Sequence, residues 1–217
     1  TNVSIWMDLS IQIDTFVRFT QVSRETLVSL KKYESLLINA NKKLNLIGKS
    51  TNSLIWHRHF LDSAQVIDFV DKNDKTMIDL GSGAGFPGLI IALIAKDRKM
   101  PLKIKLLEKS PKKIKFMNQI INELALKAEI INQNIDLNPI EFSEDVLIAR
   151  AFRPLQNILK LIHNNAKNWK KILLFLGKTG KMELQEAAKS WNIEYKQSVS
   201  ITSSDSIIIK INKLEKK

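Results

Sequence analysis

The spacing of apolar residues changes near residue 72, and the chain has a different pattern on each side. Before that point, apolar residues recur at the interval of an amphipathic helix. After it, short apolar runs alternate with longer amphipathic segments, which is typical of strands and helices alternating in a mostly parallel sheet. We therefore expect a helical N-terminal extension over 1–72, packed against an α/β domain over 73–217.

The individual elements follow from the same runs. In the extension, helices are predicted over 11–22, from the capping residue Ser23 up to a break at 41–51, and over 54–70. Strands are predicted over 76–80, 103–108, 129–132, 146–149, 172–176, 193–200 and 206–211. The intervening helices are predicted over 87–96, from Ser110 onward, from Pro154 to Ala166, and over 181–191. A turn at 203–205 would make the last two strands an antiparallel hairpin.

The segment 76–88 is the most informative part of the chain. A short apolar strand ends at Gly81, and Gly83 and Gly85 continue a turn in which bare backbone can approach a ligand. Pro87 suits the first turn of the helix that follows, because its missing N–H would have no partner there. A strand, a glycine turn and a helix in this order predict the nucleotide-binding corner of a doubly wound α/β sheet.

The residue at the end of the turn narrows the choice of nucleotide cofactor. The dinucleotide fingerprint needs a small residue where this chain has Phe86. The segment from Asp79 to Gly85 instead resembles the Asp-x-Gly-x-Gly-x-Gly motif of S-adenosylmethionine-dependent methyltransferases, and Glu108 at the end of the second strand would hold ribose hydroxyls. With the terminal hairpin, this resemblance implies a class I, Rossmann-like methyltransferase sheet of seven strands. The alternative is an ordinary glycine-rich turn with a surface glutamate.

Composition narrows the chemistry and the partners. The formal charge of +12 favours a polyanion such as nucleic acid, although biased amino-acid usage would have the same effect. Cysteine is absent, which excludes disulfides, thiolate nucleophiles and cysteine-bound zinc. His57 and His59 lie on different helix faces, so no joint metal site is expected. No apolar run is long enough to span a membrane, and the N-terminus does not resemble a signal peptide, so we expect a cytoplasmic protein.

The residues directly after the fourth strand narrow the choice of methyl acceptor. Enzymes that methylate an exocyclic amine usually carry a Pro-Pro-aromatic motif there, and this chain has Arg150-Ala151-Phe152. Methylation of a pyrimidine carbon usually needs a cysteine. An acceptor that is already nucleophilic remains, such as guanine N7, whose lone pair carries no proton. Such an acceptor needs alignment with the methyl group and exclusion of water more than it needs a general base.

From about residue 30 onward the chain resembles the bacterial RsmG family, also called glucose-inhibited division protein B, which methylates guanine N7 in 16S rRNA. The resemblance rests on Asn45-Leu46, on Trp56-His57-Arg58-His59-Phe60-Leu61-Asp62-Ser63, on the glycine motif over 79–88, and on Arg150-Ala151-Phe152. It implies S-adenosylmethionine as cofactor and a guanine of the decoding region, in the 530 loop, as target. The resemblance also implies 16S rRNA or the small ribosomal subunit as the partner. We separately expect a monomer without a metal.

Site residues follow from the resemblance together with these motifs. The expected cofactor-binding residues are Asp79, Gly81, Ser82, Gly83, Gly85, Phe86, Glu108, Ile135, Asp136 and Arg150. Asn45 and His59 match positions important for activity in the family. The expected RNA-binding residues are Arg58, Lys109, Lys112, Lys113 and Lys178. Two alternatives stay open: a methyltransferase for another RNA or a small molecule, and a non-catalytic rRNA-binding assembly module.

Overall fold

The computed structural model describes residues 8–217. The first seven residues of the predicted extension, and with them most of the N-terminus that we compared with a signal peptide, lie outside the described residues. No helix among the described residues is long and apolar enough to cross a membrane.

The centre of the fold is a seven-stranded sheet with the order β3-β2-β1-β4-β5-β7-β6. Its strands are β1 Thr76–Leu80, β2 Lys103–Glu108, β3 Ala128–Asn132, β4 Val146–Arg150, β5 Lys171–Leu176, β6 Trp191–Ser200 and β7 Ser203–Lys216. Neighbouring strands from β3 to β5 are parallel, while β7 is antiparallel to both β5 and β6. The predicted seven-stranded, class I, Rossmann-like α/β fold is confirmed.

The sheet is covered by helices on both faces, as a parallel sheet requires. The helices of this part are α4 Gly88–Asp97, α5 Pro111–Glu123, α6 Leu155–Asn165 and α7 Gly180–Ala187. Nearly all of α4 is buried, which explains why its sequence is an uninterrupted apolar run rather than an amphipathic one. The carboxyl ends of β1, β2, β4 and β5 lie along one edge of the sheet, where ligands bind in folds of this kind.

The helical extension packs on one face of the sheet through α1, Leu9–Thr20, and α2, Arg24–Leu44. Ser23 caps α2 by accepting from the Thr26 N–H, as predicted, and Asp97 at the end of α4 accepts from both residues. One apolar cluster contains Phe16 and Leu30 of the extension together with Met77 and Ile91 of the sheet layer. The division into domains at residue 72 stays a prediction, because this core is continuous across it.

Two elements of the extension differ from the sequence prediction. Helix α2 extends into the predicted break as far as Leu44, and the break is confirmed from Asn45 onward. The buried side-chain amide of Asn41 bonds to both the N–H and the carbonyl of Ile47 and closes the turn after the helix. The predicted helix over 54–70 is instead a 3₁₀ turn at Lys49–Leu54, a π-helix at Trp56–Leu61, a short α3 at Asp62–Ala64 and a 3₁₀ turn at Ile67–Phe69. The wide π turn buries Trp56 and Phe60, and π turns are frequent at functional sites.

The terminal hairpin turns two residues earlier than predicted, at 201–202. The hydroxyls of Ser200, directly before this turn, and of Thr202, within it, both donate to Asp62, which fixes the position of the turn. Strands β6 and β7 are also longer than predicted, and α7 ends before Trp191, which opens β6 instead of closing the helix. The turn-like composition of 203–205 misled the sequence prediction.

Candidate functional site

Two cavities lie beside each other at the carboxyl edge of the sheet, on the two sides of the turn after β4. The first cavity, of about 240 Å³, lies at the ends of β1, β2 and β4, and its walls include Gly81, Glu108, Ile135 and Asp136. The second cavity, of about 280 Å³, lies between β4, β5, β7 and the π-helix, and its walls include His59, Asp62 and Arg150. Ala151 borders both cavities, so the turn at β4 separates two adjoining spaces.

The glycine turn provides bare backbone beside the first cavity, as predicted from the sequence. Gly81, Gly83 and Gly85 have φ values of 75°, 60° and 95°, which glycine adopts without strain. A Cβ on Gly81 would lie 2.1 Å from the Phe152 ring, whereas a Cβ on Gly83 would meet no atom closer than 3.9 Å. Phe152 therefore packs on the start of the turn, and the space beside Gly83 is open.

Asp79 and Ser82 support this turn from inside the protein. Both are buried, and neither lines the first cavity. The Oδ2 atom of Asp79 accepts from the Gly88 N–H at 2.9 Å, and the Ser82 hydroxyl donates to the Asp79 carbonyl. Burial raises the pKa of Asp79 to about 7, against the hydrogen bond from Gly88, which lowers it. A direct cofactor contact at these two residues stays a prediction, and their described role is to hold the turn.

Glu108 joins the glycine turn to the end of β2. Its Oε2 atom accepts from the Gly83 N–H at 3.0 Å, and its Oε1 atom accepts from the N–H groups of Lys109 and Ser110 at 2.9 Å each. The side chain is largely buried but borders the first cavity. A carboxylate held by backbone donors in this way is a fixed acceptor for a ligand hydroxyl pair.

The far wall of the first cavity contains a pair that the sequence did not predict. Arg153 donates to the two carboxylate oxygens of Asp136 at 2.9 and 3.3 Å, and this hydrogen bonding lowers the pKa of Asp136. The Arg153 guanidinium also lies 4.2 Å from the centre of the Phe152 ring. Because Arg153 directly follows Arg150-Ala151-Phe152, the sequence could have indicated that it lies near this cavity.

Arg150 contacts several groups of the second cavity at once. Its Nη1 atom donates to Asp62 Oδ2 at 3.0 Å and to the Arg58 carbonyl at 3.1 Å. Its Nη2 atom lies 3.2 Å from His59 Nδ1, and its guanidinium carbon lies 5.4 Å from the centre of the Phe86 ring. Arg150 therefore connects the end of β4 to the π-helix of the extension.

His59 is held by hydrogen bonds at both ring nitrogens. Because arginine only donates, Nδ1 must accept from Arg150, and Nε2 then carries the proton and donates to Thr51 Oγ1 at 2.9 Å. Burial and the neighbouring Arg150 and Arg58 charges lower the pKa of His59 to about 3, so the ring is neutral. The imidazole also stacks on Phe86, with 5.2 Å between the ring centres.

Asp62 is a second residue whose importance the sequence did not show beyond its place in the helix motif. In addition to Arg150, its carboxylate accepts from Thr202 Oγ1 at 2.6 Å and from Gln65 Nε2 at 2.8 Å. These bonds connect β4, the β6–β7 turn and the residues that follow the π-helix around one carboxylate. The role of Asp62 could not be predicted from the sequence, because its partners Arg150 and Thr202 lie 88 and 140 positions away along the chain.

The other predicted residues are distributed unevenly. Lys109, Lys113 and Ile135 line the first cavity, and Arg58 lines the second and donates to the Thr202 carbonyl. Lys112 is exposed on α5, and Lys178 is exposed beyond β5, with its Nζ 3.7 Å from Asp205. Asn45 is exposed at the end of α2 with φ 48° and lines neither cavity. The structure therefore does not bring Asn45 and His59 together at one cavity wall.

The first cavity offers features that a nucleoside cofactor needs, namely room beside a glycine turn and a fixed hydrogen-bond acceptor. Open backbone beside Gly83 leaves room for a ligand, and Glu108 presents fixed carboxylate oxygens. Nothing in this wall resembles a metal centre: among residues 8–217, no group of three or more histidine, aspartate or glutamate side chains could hold a metal ion. These features fit S-adenosylmethionine, for which the sequence predicted the site.

Comparison with known proteins agrees with this geometry. Two solved structures share the fold. A SAM-dependent methyltransferase from Aquifex aeolicus has a TM-score of 0.56 and 14% sequence identity, with 79% of this chain and 97% of that chain covered. A TehB-like SAM-dependent methyltransferase from Corynebacterium glutamicum has a TM-score of 0.52 and 16% identity, with 70% of this chain and 87% of that chain covered.

Two curated relatives cover nearly the whole chain. The ribosomal RNA small subunit methyltransferase G of Pelagibacter ubique is 39% identical over 90% of this chain and 92% of its own length. The protein of the same name from Ruegeria pomeroyi is 35% identical over 88% and 92%. Residues 26–210 match the family model described as GidB, rRNA small subunit methyltransferase G. The chain belongs to the rRNA small subunit methyltransferase G family.

Proposed function

We propose that this protein transfers a methyl group from S-adenosylmethionine to N7 of a guanine in the 530 loop of 16S rRNA. The observation that carries the proposal is the pair of adjoining cavities separated only by the turn after β4. One has bare backbone and a fixed carboxylate suited to the cofactor, and the other is open beside it for the acceptor base. Family membership supports rRNA of the small subunit as the substrate.

The residues that would hold the cofactor are those of the first cavity. Gly83 leaves the space in which it would lie, Glu108 would accept from its ribose hydroxyls, and Ile135 would contact its base. When bound, S-adenosylmethionine supplies a methyl carbon activated by a sulfonium. The protein's task is then to align the acceptor with that carbon and to exclude water, which is worth ~7–11 kcal/mol in favourable cases.

The hydrogen bonding in the second cavity favours an acceptor that carries no proton. Both ring nitrogens of His59 already have partners, and the Asp62 carboxylate accepts from Arg150, Thr202 and Gln65. Neither side chain is free to take a proton from a substrate. An exocyclic amine or a hydroxyl would need such a base, whereas guanine N7 would not.

Charge in the second cavity is also compatible with this acceptor. A purine gains positive charge when its N7 is methylated, so an uncompensated cation beside it would raise the barrier. Arg150 is 3.0 Å from Asp62 Oδ2, and this ion pair offsets its charge. His59 is neutral because its pKa is about 3. Arg58, the other basic residue that lines this cavity, keeps its charge and would be offset by an RNA phosphate.

A methyl-transfer assay tests the proposal. The purified protein is incubated with methyl-labelled S-adenosylmethionine and, in parallel, with small ribosomal subunits, naked 16S rRNA and tRNA, each from cells lacking the modification. We expect label in small-subunit RNA and, after base mapping, at N7 of one guanine in the 530 loop. Label in tRNA, at an exocyclic amine, or in none of the RNAs would contradict the proposal.

A further inference from the structure

Tyr33 reaches from the extension to the glycine turn. It lies on α2 and is fully buried, although its hydroxyl is polar. That hydroxyl donates to the carbonyl of Ala84 at 2.5 Å, across 51 positions of sequence. Burial holds the pKa of Tyr33 well above its ordinary value, so the hydroxyl keeps the proton that it donates. Ala84 stands between Gly83 and Gly85, in the middle of the turn that borders the first cavity.

A turn rich in glycine needs such outside support. Glycine loses more conformational freedom on folding than any other residue, so a turn with three of them is costly to hold in one shape. Glu108 fixes the turn on one side through the Gly83 N–H. Tyr33 fixes it on the other, and its hydroxyl oxygen lies 2.6 Å from where a Cβ on Gly85 would stand. The two side chains hold the peptide groups on either side of the Gly83–Ala84 peptide in the same turn.

The ring of Tyr33 also contacts the residue that ends the turn. It stacks on Phe86 with 5.6 Å between ring centres and 15° between planes. Phe86 in turn stacks on His59 of the second cavity. Phe60 and Phe116 pack at 5.5 and 6.2 Å from the Tyr33 ring and keep it in place. The hydroxyl and the ring of Tyr33 thus contact Ala84 and Phe86, the residues on either side of Gly85.

We propose that Tyr33 is a positioning residue for the cofactor, acting through the glycine turn and without touching the cofactor itself. The proposal rests on the proposed function, because it assumes that the first cavity binds S-adenosylmethionine. By holding the Ala84 carbonyl, Tyr33 keeps the backbone beside Gly83 in the shape that leaves the cavity open. Without that bond the turn samples other shapes, and the fraction able to bind the cofactor falls.

Tyr33→Phe is the sharpest variant, because it removes one oxygen and keeps the stacked ring. The matched control is Thr20→Val, which also removes a buried hydroxyl that donates to a carbonyl, in this case Phe16 at 2.8 Å within α1. Both variants lack a buried hydrogen bond of the extension, and both are expected to be somewhat less stable. Only the first lacks a bond to the glycine turn.

Two readouts distinguish a positioning role from a merely structural one. In Tyr33→Phe, the dissociation constant for S-adenosylmethionine by calorimetry should rise roughly tenfold. Amide hydrogen exchange over 81–86, measured without cofactor, should become faster. In Thr20→Val the dissociation constant and the exchange rate should both match those of the wild type, even if its melting temperature falls as much as that of Tyr33→Phe.

The outcomes separate this proposal from the proposed function. If wild-type protein binds S-adenosylmethionine and Tyr33→Phe binds it equally well, the positioning role is wrong and the proposed function stands. If both variants weaken binding to the same extent, the effect is one of global stability, and the positioning role is again wrong. If the wild type does not bind the cofactor, the proposed function fails, and this proposal fails with it.

Discussion

The Nη2 atom of Arg150 lies 3.2 Å from Nδ1 of His59, and this contact determines what the histidine can do. The only ring nitrogen with a free lone pair accepts from a cation, and the other donates to Thr51. His59 therefore contacts both Arg150 and Phe86, and we propose that it orients them and does not act as a proton acceptor. An enzyme built in this way suits an acceptor that has no proton to lose.

The first prediction concerns the pH dependence of methyl transfer. Because the pKa of His59 is about 3, its ring stays neutral across the neutral range. The single-turnover rate at saturating cofactor should show no inflection at about pH 6.5 that depends on His59, and any inflection near pH 7 from Asp79 should persist in His59→Gln. The rate should be measured from pH 5.5 to 8.5, with circular dichroism at each pH to establish that the protein stays folded. An inflection that disappears in His59→Gln would mean that His59 titrates during the reaction.

The second prediction is that Gly83→Val abolishes cofactor binding and leaves the protein folded. A Cβ at this position meets no protein atom closer than 3.9 Å, so the branched side chain would extend into the open space beside the turn, where we propose that the cofactor lies. The cost to stability is the strain of φ 60°, about 1–3 kcal/mol. Calorimetry should detect no binding of S-adenosylmethionine at concentrations that saturate the wild type.

Ala125→Val is the matched control for this variant. It places the same branched residue at a positive φ of 47°, in the loop before β3 and away from both cavities. Because Ala125 already carries the strain of a side chain at positive φ, this variant should lose less stability than Gly83→Val, and it should bind the cofactor with wild-type affinity. Normal binding by Gly83→Val would show that the cofactor lies elsewhere.

The parts of the structure that the sequence predicted are those with a local cause. The strands around Ile78 and Leu173 are short apolar runs, and the turn at Gly81 needs backbone that only glycine supplies easily. The same holds for Ser23, whose side chain caps the helix that begins after it. Such signals lie within a few residues of the structure that they specify, so one sequence is enough to read them.

The parts that the sequence missed depend on partners far along the chain. Asn41 looked like a helix breaker, but its amide is buried against the chain after the helix. The hairpin turn is set by Asp62, which accepts from Thr202 at the other end of the protein. Tyr33 looked like an ordinary core residue of α2, because its spacing is that of the buried face and nothing local indicates the bond to Ala84.

The third prediction uses the raised pKa of Asp79, which is about 7 in the folded protein and near 3.8 when unfolded. Between these values the folded state holds a proton that the unfolded state has released. Stability from this group is therefore complete below about pH 4 and is lost as the pH rises through 7. Asp79→Asn keeps an acceptor for the Gly88 N–H and removes the titration. In urea unfolding, the free energy of unfolding of Asp79→Asn minus that of the wild type should increase by a few kcal/mol, roughly, between pH 4 and pH 8.

Asp97→Asn is the control for this prediction, because the pKa of Asp97 is lowered in the folded protein, whereas that of Asp79 is raised. Hydrogen bonds from Ser23 and Thr26 lower the pKa of Asp97, so its contribution is present above about pH 4 and lost only below it. Between pH 5 and 8 the difference between Asp97→Asn and the wild type should stay constant. If the Asp79→Asn difference were equally constant, Asp79 would be ionised in the folded protein throughout this range.

The last prediction concerns the lysines at the carboxyl edge of the sheet. Lys109 and Lys113 line the first cavity, and Lys112 is exposed beside them on α5. If these side chains contact RNA phosphates, Lys112→Glu with Lys113→Glu should weaken binding of small-subunit RNA at least tenfold. The dependence of binding on salt should also become shallower, by about 0.7–0.9 in the slope of log K against log salt for each phosphate that is no longer neutralised.

The control for this pair reverses the same number of charges at the opposite edge of the sheet. Lys103 and Lys127 are exposed at or next to the amino ends of β2 and β3, away from both cavities. Lys103→Glu with Lys127→Glu lowers the net charge by the same amount, so it measures the effect of overall charge alone. Binding should be followed by filter retention from 50 to 300 mM salt. Equal reductions in affinity in the two double variants would mean that RNA is attracted by the charge of the whole protein and that no patch at the carboxyl edge contacts it.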